Sequence, residues 1–462
     1  MINLKLYVSE EDYSVVAGPD WPTYENYIAG KTSNNPVIHK EIEDYTKSHI
    51  QEGIKFPIRT ATACQSKWTW STIYLNQLST ASCHRVTPVS FKLEEFDNFH
   101  NIPKKLADRK LMLEGKWPQG GCEYCMNIEN AGGWSDRQHN LDIPGLTPPE
   151  LETDLTAVQV SPRIVEIFAQ NTCNLQCIYC NGNLSSRIEQ ENLKFGNFDS
   201  GGVQIPVITK PTQAAAEYFE RFISWLEKNI TTLVRLHLLG GETFLQHDLM
   251  TRVLDIIERN PNPALEFCIF SNMNVPDRYW NLYIDRIQDL QARGNMRYFD
   301  LTASIDCWGP EQEYVRSGLD LDKFEQRFAW ASEQGDWLRL NVNQTITAMT
   351  IRTMPELMQK INYYKQRKPI GQYFEFYTGP DRYQHPEIFA WSTWENDFKQ
   401  IFALISPDNQ DLLNRLHGIQ SQLMQFTQHN FTEIKRLHIY LDELDRRRGT
   451  NWRTIFPYLD IQ

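Results

Sequence analysis

Between about Arg163 and Pro380, short apolar runs alternate with longer stretches whose apolar residues recur at helical spacing. The runs are Ile164–Phe168, Leu233–Leu239, Leu265–Phe270, Phe299–Ile305, Leu338–Ile346 and Tyr373–Tyr377. Each has strand length, as the strands of a parallel sheet do. The stretches Thr212–Lys228, Asp248–Arg259, Arg278–Gln291 and Met354–Lys365 carry the helical period between them. Six such alternating units predict an α/β fold, a parallel sheet covered by helices. Asn183–Lys210 breaks the alternation with polar, glycine-containing sequence. It reads as a long insertion, either laid over a site or a plain surface excursion. Past Pro380 the pattern turns helical, from about Trp391 to Arg448, and ends in a basic turn followed by glycine. Arg446–Arg448 there read as a solvated helix end. The chain has no internal repeat and no low-complexity linker.

One loop concentrates the candidate chemistry. Cys173, Cys177 and Cys180 lie in NTCNLQCIYCN, a C-x3-C-x2-C arrangement just past the run Ile164–Phe168. A short loop with that spacing can wrap one inorganic centre, each thiolate reaching a different metal atom. Three thiolates are one too few for a closed tetrahedral zinc site or a fully ligated cubane. An iron-sulfur cluster held by three would keep one iron open to a ligand. A zinc knuckle, or three unligated thiols, is the plainer alternative, although no histidine stands nearby to complete a zinc site.

The next strand ends supply polar groups in order. LVRLHLLGGETFL closes on Gly240, Gly241 and Glu242. Paired glycines let the backbone approach a ligand closely, and Glu242 offers an acceptor for an ammonium group. Ser271 and Asn272 end the run LEFCIFSN, and Ser304 and Asp306 end FDLTASID. Alone, such residues as often cap a turn.

The cysteine hook followed by these strand ends resembles the radical S-adenosylmethionine superfamily. Tyr179, just before the third cysteine, fills that family's usual aromatic position. The resemblance implies a [4Fe-4S] cluster on Cys173, Cys177 and Cys180, whose open iron chelates the amino and carboxylate groups of S-adenosylmethionine. It implies that Gly240, Gly241 and Glu242 bind the methionyl amino group, and that Ser271, Asn272, Ser304 and Asp306 contact ribose and carboxylate. It further implies reductive cleavage to methionine and a 5'-deoxyadenosyl radical that abstracts hydrogen from substrate. The expected fold is a partial (βα)6 TIM-like barrel with the cofactor at the C-terminal strand ends. An electron donor such as flavodoxin or ferredoxin would be a partner.

Composition narrows the setting. A chain of 462 residues is long enough for two or three domains, and its formal charge of -12 argues against a general nucleic-acid or membrane-surface binder. The basic stripe of Lys104, Lys105, Arg109 and Lys110 reads as a solvated helix face. The start, MINLKLYVSEEDYSVV, lacks the charged and apolar regions of a signal peptide, and no stretch is long and apolar enough to span a bilayer. Nine cysteines in such a chain suggest a reducing, cytoplasmic setting and metal binding rather than disulfides.

A second cysteine set precedes the hook. Cys122 and Cys125 stand in KWPQGGCEYCMNIENAGGWSDRQ, and Cys64 and Cys83 lie upstream. Four thiolates suffice for a fully ligated [4Fe-4S] cluster or a structural zinc ion, and the spacing does not choose between them. Cys122 and Cys125, followed by Glu129, Gly132-Gly133, Ser135 and Arg137, resemble the auxiliary-cluster element of twitch and SPASM radical enzymes. In most relatives that element follows the barrel, and here it precedes it. The expected organisation is residues 1–60 without an assigned role, 61–155 as an auxiliary cluster domain, 160–385 as the partial barrel and 386–462 as a helical region.

Two cysteines remain. Cys268, inside an apolar run, reads as a small buried hydrophobe. Cys307 follows the strand end Ser304–Asp306 and reads as rim packing, with hydrogen-atom donation as the alternative; Trp308, Tyr314 and Arg316 are candidates to line a pocket. Three functions compete: a radical enzyme acting on a peptide or protein side chain, a radical dehydrogenase or epimerase of a small metabolite, and a metal-stabilised binding protein without turnover. Auxiliary-cluster relatives often modify peptides, which favours the first by resemblance.

Overall fold

The computed structural model describes residues 56–58, 60–130, 135–139, 145–196, 198–199, 204–205, 214–377, 379 and 382–461. Segment 1–60, without an assigned role, therefore lies almost entirely outside the described residues, as do Gly132 and Gly133. The chain divides into two compact units, residues 1–168 with 213–237, and residues 169–212 with 238–462.

In the first unit, β1 (Trp70–Tyr74), β2 (Ser79–Ala81), β3 (Val89–Ser90) and β4 (Ile164–Phe168) pair side by side in the order β4-β1-β2-β3. β1 runs parallel to β4, with Ile73 opposite Ile167, and antiparallel to β2. β4 coincides with the apolar run Ile164–Phe168, whereas no apolar run marks β1. Ser71 and Thr72 break the apolar run of β1, yet both are buried, because Thr72 Oγ1 donates to Glu166 Oε2 at 2.7 Å and Lys105 Nζ donates to Ser71 Oγ at 2.8 Å. Buried polar groups paired in this way cost little.

The basic stripe also differs from expectation. It lies on the helix Pro103–Leu113, which opens with proline at its first position. Lys104 and Lys110 are exposed, but Lys105 and Arg109 are buried. Arg109 donates to the carbonyls of Lys67, His100 and Val158 and to Asn101 Oδ1. Those carbonyls draw it inward, so the stripe is not a solvated face. The helix Ala214–Asn229 packs on an aromatic cluster of Phe91, Phe96 and Phe99 through Tyr218 and Trp225. β5 (Arg235–Leu239) belongs in part to each unit.

In the second unit β6 (Glu266–Ser271), β7 (Tyr298–Ser304), β8 (Leu338–Ile346) and β9 (Ile370–Phe376) form parallel pairs in sequence order. Leu301 of β7 stands opposite Ile269 on one side and Leu340 on the other. Helices His247–Arg259, Asp277–Ala292, Leu321–Glu333 and Met354–Lys365 alternate with these strands. The expected α/β class with a parallel sheet is what the chain adopts. β9 starts three residues before the apolar run that predicted it, because Gly371 and Gln372 hide its beginning. Leu321–Glu333 escaped the sequence reading, although Asp320 caps it through the amide of Lys323 at 2.9 Å.

The C-terminal helices Glu395–Ala403, Gln410–Leu423 and Phe431–Arg448 share one apolar core with β8 and the helix after it. Ile346, Met349 and Met358 pack there with Trp394, Phe398, Leu437, Leu441 and Trp452. Gly449 ends the last long helix in the left-handed region at φ 71°, as a terminal glycine should. Among the described residues no helix is long and apolar enough to cross a membrane.

Candidate functional site

The hook lies in the loop that follows Phe168, held on one side by residues 315–317 and on the other by the start of a helix. The residues Gln176–Cys177 pair antiparallel with Arg316–Ser317, placing Cys177 opposite Arg316. Ile178 N–H donates to Val315 O at 2.9 Å, and Cys180 N–H closes a turn onto Cys177 O at 3.0 Å. On the other side, Cys173 N–H donates to Ser186 Oγ at 3.1 Å, at the start of the helix Ser186–Phe195. Ser185 caps that helix by accepting from Ile188 N–H and donates its own hydroxyl to Leu175 O at 2.8 Å. The insertion Asn183–Lys210 thus begins as a helix whose first residues anchor the hook.

Burial sets the ionisation of the three thiols, and they also act on one another. The Cys173 thiol is pushed up to about 12, first by burial and then by the charge of Cys177. Cys180 is raised by burial, then by Cys177 and Cys173. Cys177 is raised by burial and opposed by the Arg316 guanidinium. Cys177 is buried and Cys173 and Cys180 are half-buried, and a bound cationic centre would favour the thiolate form of all three. As a set they do not fall within 4.8 Å of one another. A tetrahedral zinc ion with Zn–S of about 2.3 Å would need sulfurs about 3.8 Å apart. A single zinc ion therefore does not fit the three thiols as they stand.

The strand-end residues gather on the same loop. Gly241 has φ +54°, and a Cβ on it would lie 2.2 Å from Thr172 O, the carbonyl just before Cys173. Glu242 N–H donates to that oxygen at 2.7 Å. Gly240, also left-handed at φ 88°, accepts at its carbonyl from Gln246 Nε2. Glu242 is only 1% exposed, and its carboxylate accepts from Ser271 Oγ at 2.9 Å, Asn272 N–H at 2.7 Å and Phe244 N–H at 3.3 Å. Burial nevertheless pushes its carboxyl up to about 7. Asn272 reaches back to the hook, its Nδ2 donating to Asn174 Oδ1 at 2.9 Å.

Asp306 is the second fixed point. It takes a two-pronged ion pair from Arg316, at 2.8 Å to Nε and 2.9 Å to Nη2, and accepts from Tyr179 OH at 2.6 Å and Thr345 N–H at 2.8 Å. The Arg316 guanidinium stands 5.6 Å from the centre of the Tyr179 ring. Asp306 therefore clamps the aromatic residue before the third cysteine to the end of β7, while Ser304 ends that strand half-buried. From sequence, Arg316 is a candidate to line a pocket, and the structure adds its ion pair with Asp306. Its partner 10 residues upstream was not visible from spacing, because the ion pair forms across a loop and a strand end.

Cys307 is fully enclosed, its thiol and its amide on Gln312 Oε1, and Cys268 is buried in β6. Tyr314 OH donates to Asp445 Oδ1, and Trp308 lies under Lys360. The basic helix end differs from its solvated expectation. Arg446 is exposed, but Arg448 is buried against Glu191, with two contacts of 2.9 Å.

In the first unit the four upstream cysteines lie near enough to act on one another, although no three of their sulfurs fall within 4.8 Å of one another. The charge of Cys64 raises Cys83, Cys122 and Cys125, after burial, which comes first for each; Cys83 reaches about 12 and Cys122 about 11. Lys67 sits between this set and Asp108, its Nζ 2.8 Å from Asp108 Oδ2 and acting on both Cys122 and Cys83. Gly121, at φ +119°, leaves no room for a Cβ against Arg85 O at 2.4 Å. Glu129, Ser135 and Arg137 close into a buried cluster beside Cys125. Arg137 grips Glu129 and donates to Ala63 O at 2.8 Å, next to Cys64, while its guanidinium lies 5.2 Å from the Trp117 ring centre.

No known family profile and no curated protein matches the chain. Among solved structures it is similar to SuiB of Streptococcus suis bound to S-adenosylmethionine, at 14% identity and a TM-score of 0.36, over 70% of this chain and 65% of that one. The chain thus spans less than two thirds of that protein's length, and a likeness of this size carries no function across.

Proposed function

We propose that this chain is a radical S-adenosylmethionine enzyme that abstracts hydrogen from a peptide or protein side chain. The observation that carries the reading is the docking of Gly241 and Glu242 onto Thr172, beside three thiols that raise one another's ionisation. Cys173, Cys177 and Cys180 would hold a [4Fe-4S] cluster. When bound, such a cluster with one open iron supplies the electron that cleaves S-adenosylmethionine to methionine and a 5'-deoxyadenosyl radical. The chain's own part is placement. Asp306, Arg316 and Tyr179 fix the loop, and Glu242 with Ser271 and Asn272 fixes the glycine turn where the methionyl group would lie. Residues 160–385 would form the partial barrel, with 386–462 a helical region against it. Residues 61–155 would form an auxiliary domain whose four cysteines hold a second [4Fe-4S] cluster, and a flavodoxin or ferredoxin would deliver electrons in the cytoplasm.

The test is a Cys173/Cys177/Cys180→Ala triple variant, reconstituted anaerobically with iron and sulfide beside the wild type. Wild-type protein should release 5'-deoxyadenosine with a chemical reductant, and the variant should release none while keeping about half its iron. Cleavage by the variant would overturn the assignment. Loss of all iron would remove the auxiliary cluster from it.

A further inference from the structure

The C-terminal helix Phe431–Arg448 reaches the hook as well as the apolar core. Its residues Ile434, Leu437, Leu441 and Leu444 are buried with Trp394 and Trp452, and these contacts fasten it to the unit. Its polar contacts go elsewhere. Tyr440 OH donates to Ile178 O, 262 residues back along the chain and between Cys177 and Cys180. Gln384 Nε2 donates to the same oxygen at 3.4 Å, so both lone pairs of that carbonyl are taken. Ile178 N–H is held by Val315 O at 2.9 Å, so other elements fix both polar groups of a residue inside the Cys177–Cys180 turn. Two turns further along the helix, about 12 Å on, Arg448 pairs with Glu191 through Nε and Nη2, at 2.9 Å each. Their side chains are 7% and 3% exposed. Glu191 Oε1 also accepts from Gln176 Nε2 at 3.2 Å, and Gln176 is the residue before Cys177. Arg447, fully enclosed, donates to Gly196 O at 3.2 Å, at the end of the helix whose first residues anchor Cys173.

Packing alone does not call for these groups. The leucines would seat the helix equally well with phenylalanine at 440, and a buried hydroxyl or ion pair carries a desolvation cost that its partners only offset. The hook is what gains. Three cysteines of one short loop have to converge on a single centre, and a loop whose peptide planes are already fixed gives up less freedom when metal binds. We infer that Tyr440 and the Glu191–Arg448 pair are positioning residues for the hook, setting Cys177 and Cys180 before metal arrives. Their role rests on the reading of the hook as an iron centre, and not on which reaction that centre performs.

Tyr440→Phe removes only the hydroxyl. In chelator competition on the full-length, anaerobically reconstituted protein, with the iron of the Cys173/Cys177/Cys180→Ala variant subtracted, it should weaken the hook's hold on iron about tenfold. Hydrogen exchange at Ile178–Cys180 should accelerate in the metal-free variant, and the electron paramagnetic resonance spectrum of the reduced hook should shift. Glu191→Gln/Arg448→Met removes both charges together and should produce the same changes, with the exchange centred on Gln176–Cys177. Tyr458→Phe is the control. It loses a hydroxyl that donates to Ala348 O and Met349 O at 3.4 Å beside the same apolar core, and it should keep the wild-type iron affinity and spectrum. Thermal midpoints report whether each variant folds, and the Tyr440 and Glu191/Arg448 variants are independent, so either decides if the other does not fold. Wild-type affinity, exchange and spectrum in the folded variants would overturn the positioning role, as would an equal loss in Tyr458→Phe. A wild-type hook that takes up no iron would overturn it together with the radical reading. Iron held by the wild type and weakened in Tyr440→Phe, without 5'-deoxyadenosine from the wild type, would leave the positioning role standing and remove the radical reading alone.

Discussion

Gly241 and Thr172 meet so closely that a single methyl group would not fit between them. A Cβ at Gly241 would stand 2.2 Å from Thr172 O, the same oxygen that accepts the Glu242 amide at 2.7 Å. The left-handed φ of +54° adds its own penalty for any other residue. Gly241→Ala should therefore cost about 2–4 kcal/mol, about 1–2 of it conformational and the rest from a displaced backbone. Because the displaced backbone carries Cys173, the reconstituted variant should take up less iron than the wild type, if the hook holds iron as proposed. Urea unfolding and iron analysis together check this; a variant with wild-type stability and iron would mean that the contact relaxes freely.

The clamp between Asp306 and Arg316 is buried at both ends, with side chains 0% and 8% exposed. Removing one partner leaves an uncompensated charge, which typically costs about 3–5 kcal/mol. Arg316→Met should reach that range, because Asp306 would keep only its Tyr179 and Thr345 donors. Asp306→Asn keeps the shape and should cost less. Both should loosen Tyr179, so hydrogen exchange at Ile178–Cys180 should accelerate in both. Protection unchanged in Arg316→Met would show that the antiparallel pairing of Cys177 with Arg316 is sufficient alone.

Glu242 gives the fold a dependence on pH. Its carboxyl is pushed from 4.5 up to about 7 by burial, against the donors of Asn272, Ser271 and Phe244. A carboxyl raised in the fold holds its proton more tightly folded than unfolded. Its contribution is fully present below about pH 4.5 and is lost as pH rises through about 7, a change of roughly 3 kcal/mol. Denaturant titrations of metal-free protein should show the wild type losing stability from pH 5 to 7.5 relative to Glu242→Gln. Parallel curves for the two proteins would assign the slope to other groups.

Much of the framework was legible in the chain because the relevant signals are local. The runs that became β4 and β6–β9 are strand-length segments rich in apolar residues, and the spacing of Cys173, Cys177 and Cys180 is contained in one loop. What escaped was set by tertiary partners. β1 carries Ser71 and Thr72, which look solvent-facing until Lys105 and Glu166 satisfy them. Arg109 and Arg448 look like surface charge, and buried carbonyls and Glu191 draw them in. The order of Gly240–Glu242, Ser271 and Asp306 was visible, but their mutual contacts were not. The sequence cannot show that Glu242 spends its oxygens on Ser271 and Asn272, or that Asp306 spends its own on Arg316 and Tyr179.

Lys67 offers the sharpest test of the upstream cysteines as a metal site. Its ammonium is buried, and the charges of Cys122 and Asp108 outweigh that burial to keep it protonated. A fixed cation beside Cys122 and Cys83 favours their thiolate forms, which are the forms that bind metal. Lys67→Met removes that help, although Asp108 retains Lys104 at 2.5 Å. Metal affinity of the upstream set should fall about 10–100-fold, the usual effect of losing a supporting group behind a ligand. Loading should also require a higher pH. Chelator competition on the hook-less Cys173/Cys177/Cys180→Ala background isolates this set, with exposed Lys104→Met as the control. Equal affinities in the two lysine variants would reduce Lys67 to a structural partner of Asp108.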